Sequence, residues 1–255
     1  MERHTYKGFN HINSLPKVSC NCITYGRTSV LDELVYSFLI QDYPGEKELI
    51  ILNDYDELEL IGDFPNVTIY NEKQRYSSIG LKNNECIERC SGEIIMIWDD
   101  DDISLSNRIS QTVMGIKNSP FFKPDTTYFY SQEGIKLNKR IITCCAAYTK
   151  EAWREVGGFP DMNAGLDQAF EQRLKDKGLY MEQTIPDDEA SFIYRWFVSG
   201  EGTYHTSVYG WGNGLEEAAK HAKEHNIKGT YHITPQWRED YIALTREALA
   251  RYKQT

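Results

Sequence analysis

Residues 78–102 read SIGLKNNECIERCSGEIIMIWDDDD. The first fifteen of these residues read as a helix ending at Gly92, and EIIMIW (93–98) supplies a continuous apolar run suited to a central strand. That strand leads straight into four carboxylates, Asp99 to Asp102. Two unit charges about 5 Å apart repel by roughly 3 kcal/mol at a surface-like effective dielectric, so such a run calls for compensation. In parallel-sheet proteins, ligands gather at the carboxyl ends of strands. Strand alternation sends Asp99 and Asp101 one way and Asp100 and Asp102 the other. Two carboxylates at i and i+2 can share one divalent cation, and Mg²⁺ and Mn²⁺ prefer carboxylate, phosphate and water oxygens. The alternative is a solvated acidic turn.

Working outward, KVSCNCITY (17–25) is a β-prone stretch, GRTS a turn, and Ser29 a candidate cap for a helix carrying Val30, Leu31, Leu34, Val35, Phe38 and Leu39 at helical spacing. ELIILN (48–53) reads as a buried strand, DYDE as an acidic turn and VTIYN (67–71) as a further strand. Strand, helix, strand, strand, helix, strand is the grammar of an α/β nucleotide-binding half. Beyond NSPFFKP, near residue 120, the pattern changes. TTYFYSQ and IITCCAAY read as strands separated by a polar hairpin, EGIKLNKR. They are followed by a short helix (TKEAWREV), a Gly-rich loop (GGFPDMNAG), a helix (LDQAFEQRLKDKG) and a strand (ASFIYRWFV). The long loop SGEGTYHTSVYGWGNG has the glycine content of a mobile lid, and two amphipathic helices close the chain, the last starting at Thr234–Pro235. The expected division is a tail over 1–16, a nucleotide-binding half over 17–119 and an acceptor-binding half over 120–255, within one continuous domain.

The composition, 40% hydrophobic and 13% aromatic over 255 residues, is enough for a substantial core. A net charge of -10 argues against a general binder of nucleic acid or membrane surface. No apolar run reaches the length of a transmembrane helix, and the polar start MERHTYKGFN lacks the apolar region of a secretion signal. Cys20, Cys22, Cys86, Cys90, Cys144 and Cys145 follow no zinc-finger or ribbon spacing, with Cys144 and Cys145 adjacent in a strand. Buried free thiols in a reducing, cytoplasmic setting are the expectation.

Four stretches in this order resemble the family 2 glycosyltransferases of GT-A fold: PKVSCNCITYGR, ELIILNDYDE, SIGLKNNECIERCSGEIIMIWDDDD and GGFPDMNAGLDQAFEQRL, covering roughly residues 16 to 180. SIGLKNN with WDDDD is similar to a subgroup reading S-I-G-x-K-R-N, with Asn83 in place of the Arg. The resemblance implies a Rossmann-like mixed sheet flanked by helices, with a C-terminal helical and loop region for the acceptor. It implies Asp54 as a base-binding aspartate, with Asn53 replacing the other Asp of the usual pair. Thr24, Tyr25 and Arg27 fall around the nucleotide, Lys82 at a basic position near it, and Asp99 and Asp100 near the ribose and donor sugar. Asp101 matches the metal ligand of the DxD pair, and His205 resembles a third ligand from the C-terminal half. Asp167 matches the base of inverting members, with Leu166 replacing the usual Glu. The cofactors implied are Mn²⁺ or Mg²⁺ and a nucleotide-sugar donor, UDP-linked.

The chemistry fits these parts. A bound cation, helped by Lys82, stabilises the leaving diphosphate. A carboxylate on the opposite face takes the acceptor proton and inverts the anomeric centre, and a helix N-terminus keeps Asp167 ionised. Trp153, Trp196, Tyr209 and Trp211 are candidates for stacking or for packing, and His221, His225 and His232 read as solvated. Two other classes stay open. A nucleotidyltransferase calls for a Gly-rich basic loop after the first strand, where ITYGRTS has one Gly and one Arg. A non-catalytic sugar- or nucleotide-binding module would not need Asp167 as base. The acceptor is open among a glycan, a lipid-linked sugar, a protein and a hydroxylated base of modified DNA. The last calls for a basic patch at Lys136, Lys139 and Arg140 or along the last two helices.

Overall fold

The computed structural model describes residues 15–117, 119–139, 143–181, 183–199, 202–203 and 214–254. In the first half, strand β1 (Val18–Thr24) leads through helix α1 (Thr28–Leu39) to β2 (Lys47–Asn53), β3 (Leu58–Ile61) and β4 (Val67–Asn71). Helix α2 (Ile79–Arg89), β5 (Ile94–Ile97), β6 (Ile103–Ser104) and α3 (Arg108–Ile116) follow. The second half holds β7 (Phe121–Phe122), β8 (Thr127–Ser131), β9 (Gly134–Asn138) and β10 (Ala147–Thr149), then α4 (Lys150–Glu155) and α5 (Leu166–Asp176). It ends with β11 (Phe192–Arg195), β12 (Val198–Ser199), β13 (Gly202–Thr203), α6 (Gly214–Glu224), β14 (Gly229–His232) and α7 (Tyr241–Tyr252).

The main sheet has the order β4-β2-β1-β5-β10-β7. Its first four strands are parallel, and β10 and β7 close it in antiparallel pairings. Alternation along the strands splits their apolar residues between two layers. Cys20, Cys22, Leu49, Ile51, Ile94 and Met96 pack under α1 and α3. Ile50, Leu52, Ile95 and Ile97 pack under α2, α4 and α5. A continuous apolar run is what a strand covered on both faces requires, and each fully buried Ile or Leu contributes about 1.5–3 kcal/mol. A second sheet, β6-β11-β8-β9, is roofed by α7 through Tyr241 and Ala248. No helix among the described residues is long and apolar enough to cross a membrane.

The chain leaves β1 for β2 on one side and, after β4 and α2, crosses back to β5 on the other side of β1. The carboxyl ends of β1 and β5 therefore flank the topological switch point, where open α/β sheets bind ligands.

Several local expectations are corrected. GIKLN is not a polar connection but strand β9, paired residue for residue with β8. LELI forms β3, which lies parallel to β14 from the far end of the chain. Cys144 and Cys145 lie in a 3-10 turn (Thr143–Cys145) rather than a strand, and Cys90 falls just past α2. Ser29 does not cap α1. The helix begins at Thr28, and the N-cap position is Arg27, whose side chain is engaged elsewhere. The last helix begins at Tyr241, capped by Asp240, not at Thr234. Residues 233–240 instead cross α1, where Asp32 accepts from Thr234 N at 2.7 Å and Trp237 Nε1 donates to Ser37 Oγ at 2.9 Å. Those tertiary bonds outweigh the local start signal.

Gly80 docks the loop before α5 onto α2. Its N–H donates to Met162 O at 3.2 Å, and a Cβ at this position would collide with the carbonyl oxygen of Pro160. Gly80→Ala is expected to cost about 1–3 kcal/mol, as overpacking does, measured by urea denaturation; an unchanged midpoint would refute the contact.

Candidate active site

The four aspartates follow β5 in a turn, because the strand ends at Ile97. Out of the strand, i/i+2 alternation no longer applies and residues three apart can converge. Asp99 lies under the charges of both Asp101 and Asp102. Carboxylate oxygens of Asp99 and Asp102 and Sγ of Cys144 all lie within 4.8 Å of one another. Asp101 also meets Arg27, whose Nη1 donates to Asp101 Oδ2 at 3.0 Å and to Asp100 Oδ1 at 2.7 Å. Thr24 Oγ1, at the end of β1, donates to Asp100 Oδ2 at 2.6 Å and so bridges the switch point.

Asp54 lies at the end of β2. It accepts from Tyr76 N at 3.0 Å and from Lys82 Nζ, and Lys82 Nζ also donates to Thr24 O at 2.6 Å. The contacts form one chain, Asp54–Lys82–Thr24–Asp100–Arg27–Asp101, across the carboxyl ends of β2, β1 and β5. Tyr25 packs at a tilt against Tyr55, 4.9 Å between centroids, and Arg75 sits 4.1 Å over the Tyr25 ring. Asp100, Asp101 and Asp102 are buried, whereas Asp99 is half-buried.

Burial pushes the Asp99 carboxyl well above the usual range, and Asp101 and Asp102 add to the effect. Asp102 is raised in the same way, by burial and then by Asp101. Burial also raises Asp100, against the opposing pull of Arg27. Burial would lower Arg27, but Asp100 and Asp101 outweigh it and hold the guanidinium charged. Burial lowers Lys82, with Asp54 opposing.

Asp102 Oδ1 accepts from Arg195 N at 2.9 Å, while its Oδ2 is buried without a hydrogen-bond partner among the described residues. Arg195 Nε donates to the Asp101 carbonyl, and Nη1 donates to Glu33 Oε2 at 2.6 Å. Glu33 in turn accepts from Tyr241 OH at 2.8 Å and Arg238 N at 3.1 Å, tying the acidic turn to α1 and α7. Clustered buried carboxylates with an orphaned oxygen are a donor set that suits a divalent cation. The residues present therefore fit the metal that the sequence resemblance implies.

Asp167 sits in the first turn of α5, entered through Gly165 in a left-handed conformation (φ 67°) that favours glycine. Its carboxyl is pushed up to about 6, by burial first and then by Glu171, with Lys123 opposing. Glu171 and Lys123 form a buried ion pair at 2.6 Å.

Glycosyl transferase family 2 is the family whose model matches this chain, over residues 20–169, more than half of its length. The chain belongs to that family. Its span contains the switch-point residues and Asp167. Among solved structures, S. aureus TarS 1-349 in complex with UDP-GlcNAc is similar at TM-score 0.57 and 15% identity, over 93% of this chain and 71% of that one. The mannosyltransferase PcManGT from Pyrobaculum calidifontis, in complex with GDP-Man and Mn²⁺, is similar at TM-score 0.54 and 15% identity, over 75% of this chain and 59% of that one. TarS 1-349 without a named ligand matches over 60% of its length, so the chain spans about three fifths of these two. No curated protein matches the chain by sequence. The mixed sheet flanked by helices is the GT-A architecture of this family, as the sequence led us to expect.

Several residues that shape this family 2 site carried no sequence signal. Arg195, Glu33, Cys144, Lys123 and Glu171 lie outside the matching motifs or at positions with no assigned role. Their partners are far away in the chain, 48 residues in the Lys123–Glu171 pair and 162 in the Arg195–Glu33 pair. His205, Tyr209, Trp211 and Arg140 lie outside the described residues. Trp153 is buried in the core and donates to Asn84 Oδ1 at 3.2 Å, and Trp196 stacks on Tyr194. His225 and His232 are exposed, while His221 is half-buried. Lys136 pairs with Glu133 and Lys139 with Asp187, so the two described members of the candidate basic patch are matched by acids.

Thr24→Val keeps the shape of the β1 terminus and removes the hydroxyl from Asp100. A hydrogen bond to a charged group contributes about 1.5–3 kcal/mol, so a stability loss of that size is expected on thermal or urea unfolding; a change under about 0.5 kcal/mol would refute the bridge.

Proposed function

We propose that this family 2 protein is a metal-dependent, inverting glycosyltransferase. It moves a sugar from a nucleotide-sugar donor, UDP-linked, to an acceptor hydroxyl on a glycan or lipid-linked sugar. The observation that carries the reading is the contact chain from Asp54 to Asp101 across the switch point, with Asp99 and Asp102 converging beside it. UDP-GlcNAc, and GDP-Man with Mn²⁺, are held by the similar structures named above, which supports a nucleotide-sugar donor and a divalent cation.

In this reading Asp54, Lys82, Thr24 and Tyr25 hold the nucleoside. Asp99 and Asp102 would hold a Mn²⁺ or Mg²⁺ ion, next to the Asp101–Arg27 pair. The cation, when bound, stabilises the negative charge that develops on the leaving diphosphate. Lys82 adds a positive charge near the nucleotide, while Arg27 holds the Asp100 and Asp101 carboxylates in place. Asp167 accepts the proton of the acceptor hydroxyl as its oxygen attacks the anomeric carbon. Attack opposite the leaving group inverts that centre. A carboxyl near 6 is half-titrated just below neutral pH, where a general base is most useful.

A panel of UDP- and GDP-sugars, assayed for nucleotide release with Mn²⁺ and then with EDTA, tests the proposal. Release from one donor class, lost on chelation, is the expected result. Release undiminished by chelation would remove the metal role, and cleavage of nucleoside triphosphates instead would make the protein a nucleotidyltransferase.

A further inference from the structure

We propose that Cys144 is a ligand of the cation site, making it a mixed carboxylate–thiolate centre that favours transition-metal cations over Mg²⁺. The inference rests on the metal-dependent reading above and adds a ligand and a metal preference to it. Donor atoms sharing one small cation at about 2.0–2.3 Å stand roughly 3–4.5 Å apart. The oxygens of Asp99 and Asp102 and the Sγ of Cys144 are within 4.8 Å of one another, so a small contraction closes the set.

Two further observations point to a ligand at this spot. Asp102 is 4% exposed and uses Oδ1 on the Arg195 N–H, yet its Oδ2 has no hydrogen-bond partner among the described residues. A buried carboxylate oxygen left in this state calls for an ion or a donor. The turn that carries Cys144 is also held against the end of β5. Ile97 N donates to Ala146 O at 3.2 Å, β10 pairs with β5 at Ala147 and Met96, and Arg108 Nη2 reaches both Ile97 O (2.7 Å) and Cys144 O (3.5 Å). The main chain that carries the thiol is thus held beside the acidic turn. Asp99, half-buried, leaves one side open to solvent.

On binding, the Cys144 Sγ–H proton leaves to solvent and an Sγ–metal bond forms, with no oxidant or reductant needed. Carboxylate and water oxygens suit Mg²⁺ and Mn²⁺, whereas a thiolate shifts the balance toward Co²⁺ and Zn²⁺.

The test is a Co²⁺ titration of the full chain, with and without UDP, followed by near-ultraviolet absorbance and by calorimetry. A thiolate-to-cobalt charge-transfer band is expected in the wild type and in Cys145→Ser, and not in Cys144→Ser. Cys144→Ser is also expected to weaken Co²⁺ binding by at least about tenfold, the scale of ligand-shell changes, with a smaller effect on Mg²⁺. Cys144→Ala serves as the second variant if the serine form does not fold. Co²⁺ bound without the band in the folded wild type, or a band that survives loss of Cys144, overturns the inference and leaves the transferase reading standing. If Co²⁺ does not bind even with UDP, the inference also fails. Sugar transfer measured in EDTA then decides the transferase reading on its own.

Discussion

Asp167→Asn is expected to lower sugar transfer by about 10²- to 10⁴-fold, the contribution of a positioned general base, while nucleotide binding stays within about twofold. Asparagine keeps the shape of the side chain in the first turn of α5 but cannot accept the proton. The pH profile carries the same signature. The base works only when ionised, and its carboxyl lies at about 6. The rate is therefore expected to be flat above that value and to fall about tenfold per unit below it. The groups that set this position are Glu171, which raises it, and Lys123, which opposes, on the same helix and on the segment after β7. Asp99, from the acidic turn, senses the Asp167 charge as well. Glu171→Gln removes a negative charge and leaves Lys123 uncompensated. Both effects act in the same direction, so the midpoint should move down. A profile flat through 6, or full transfer by the asparagine variant, would assign the base elsewhere.

The largest loss of stability is expected from Arg195→Met. Arg195 and Glu33 are both 0% exposed and paired at 2.6 Å. Removing one partner of a buried pair leaves the other charge stranded, at a cost of about 3–5 kcal/mol. In a domain of this size that corresponds to a fall in Tm of about 6–20 °C. The same change loosens the acidic turn by removing the Nε–H bond to the Asp101 carbonyl, while the backbone N–H that Asp102 accepts from remains. Pairing Arg195→Met with Glu33→Gln should recover part of the stability, because the stranded charge is gone. It should not restore the turn. A single variant melting within about 2 °C of the wild type would show that the pair holds nothing together.

Much of the fold was legible because it is written in local patterns. The alternating and continuous apolar runs at 18–24, 48–53 and 94–97 state that these strands are covered on two faces. The positions of Thr24, Asp54 and Asp99 to Asp102 just after three parallel strands follow from sequence order and the sheet rule. The errors fall where local pattern is ambiguous. GIKLN looks like a polar connection because Lys136 and Asn138 interrupt its apolar residues, yet it pairs along its whole length with TYFYS. Thr234–Pro235 looks like a helix start, but Asp32 and Ser37 on α1 bond Thr234 and Trp237, and the helix begins only at Tyr241.

The acidic turn shows the same division. That the chain places four carboxylates at the end of a central strand, and that such a cluster needs positive charge, follows from residues 93–102 and Coulomb repulsion alone. How the charge is answered does not. Arg27 takes Asp100 and Asp101, Arg195 takes one oxygen of Asp102, and Cys144 arrives beside Asp99 and Asp102 from a turn some 45 residues later. These partners are set by strand order and by where β5 stops, both long-range outcomes of packing. Hydrophobic periodicity is a short-range signal and reports which elements form. Which charged atoms meet depends on angles and distances that exist only after the core has closed.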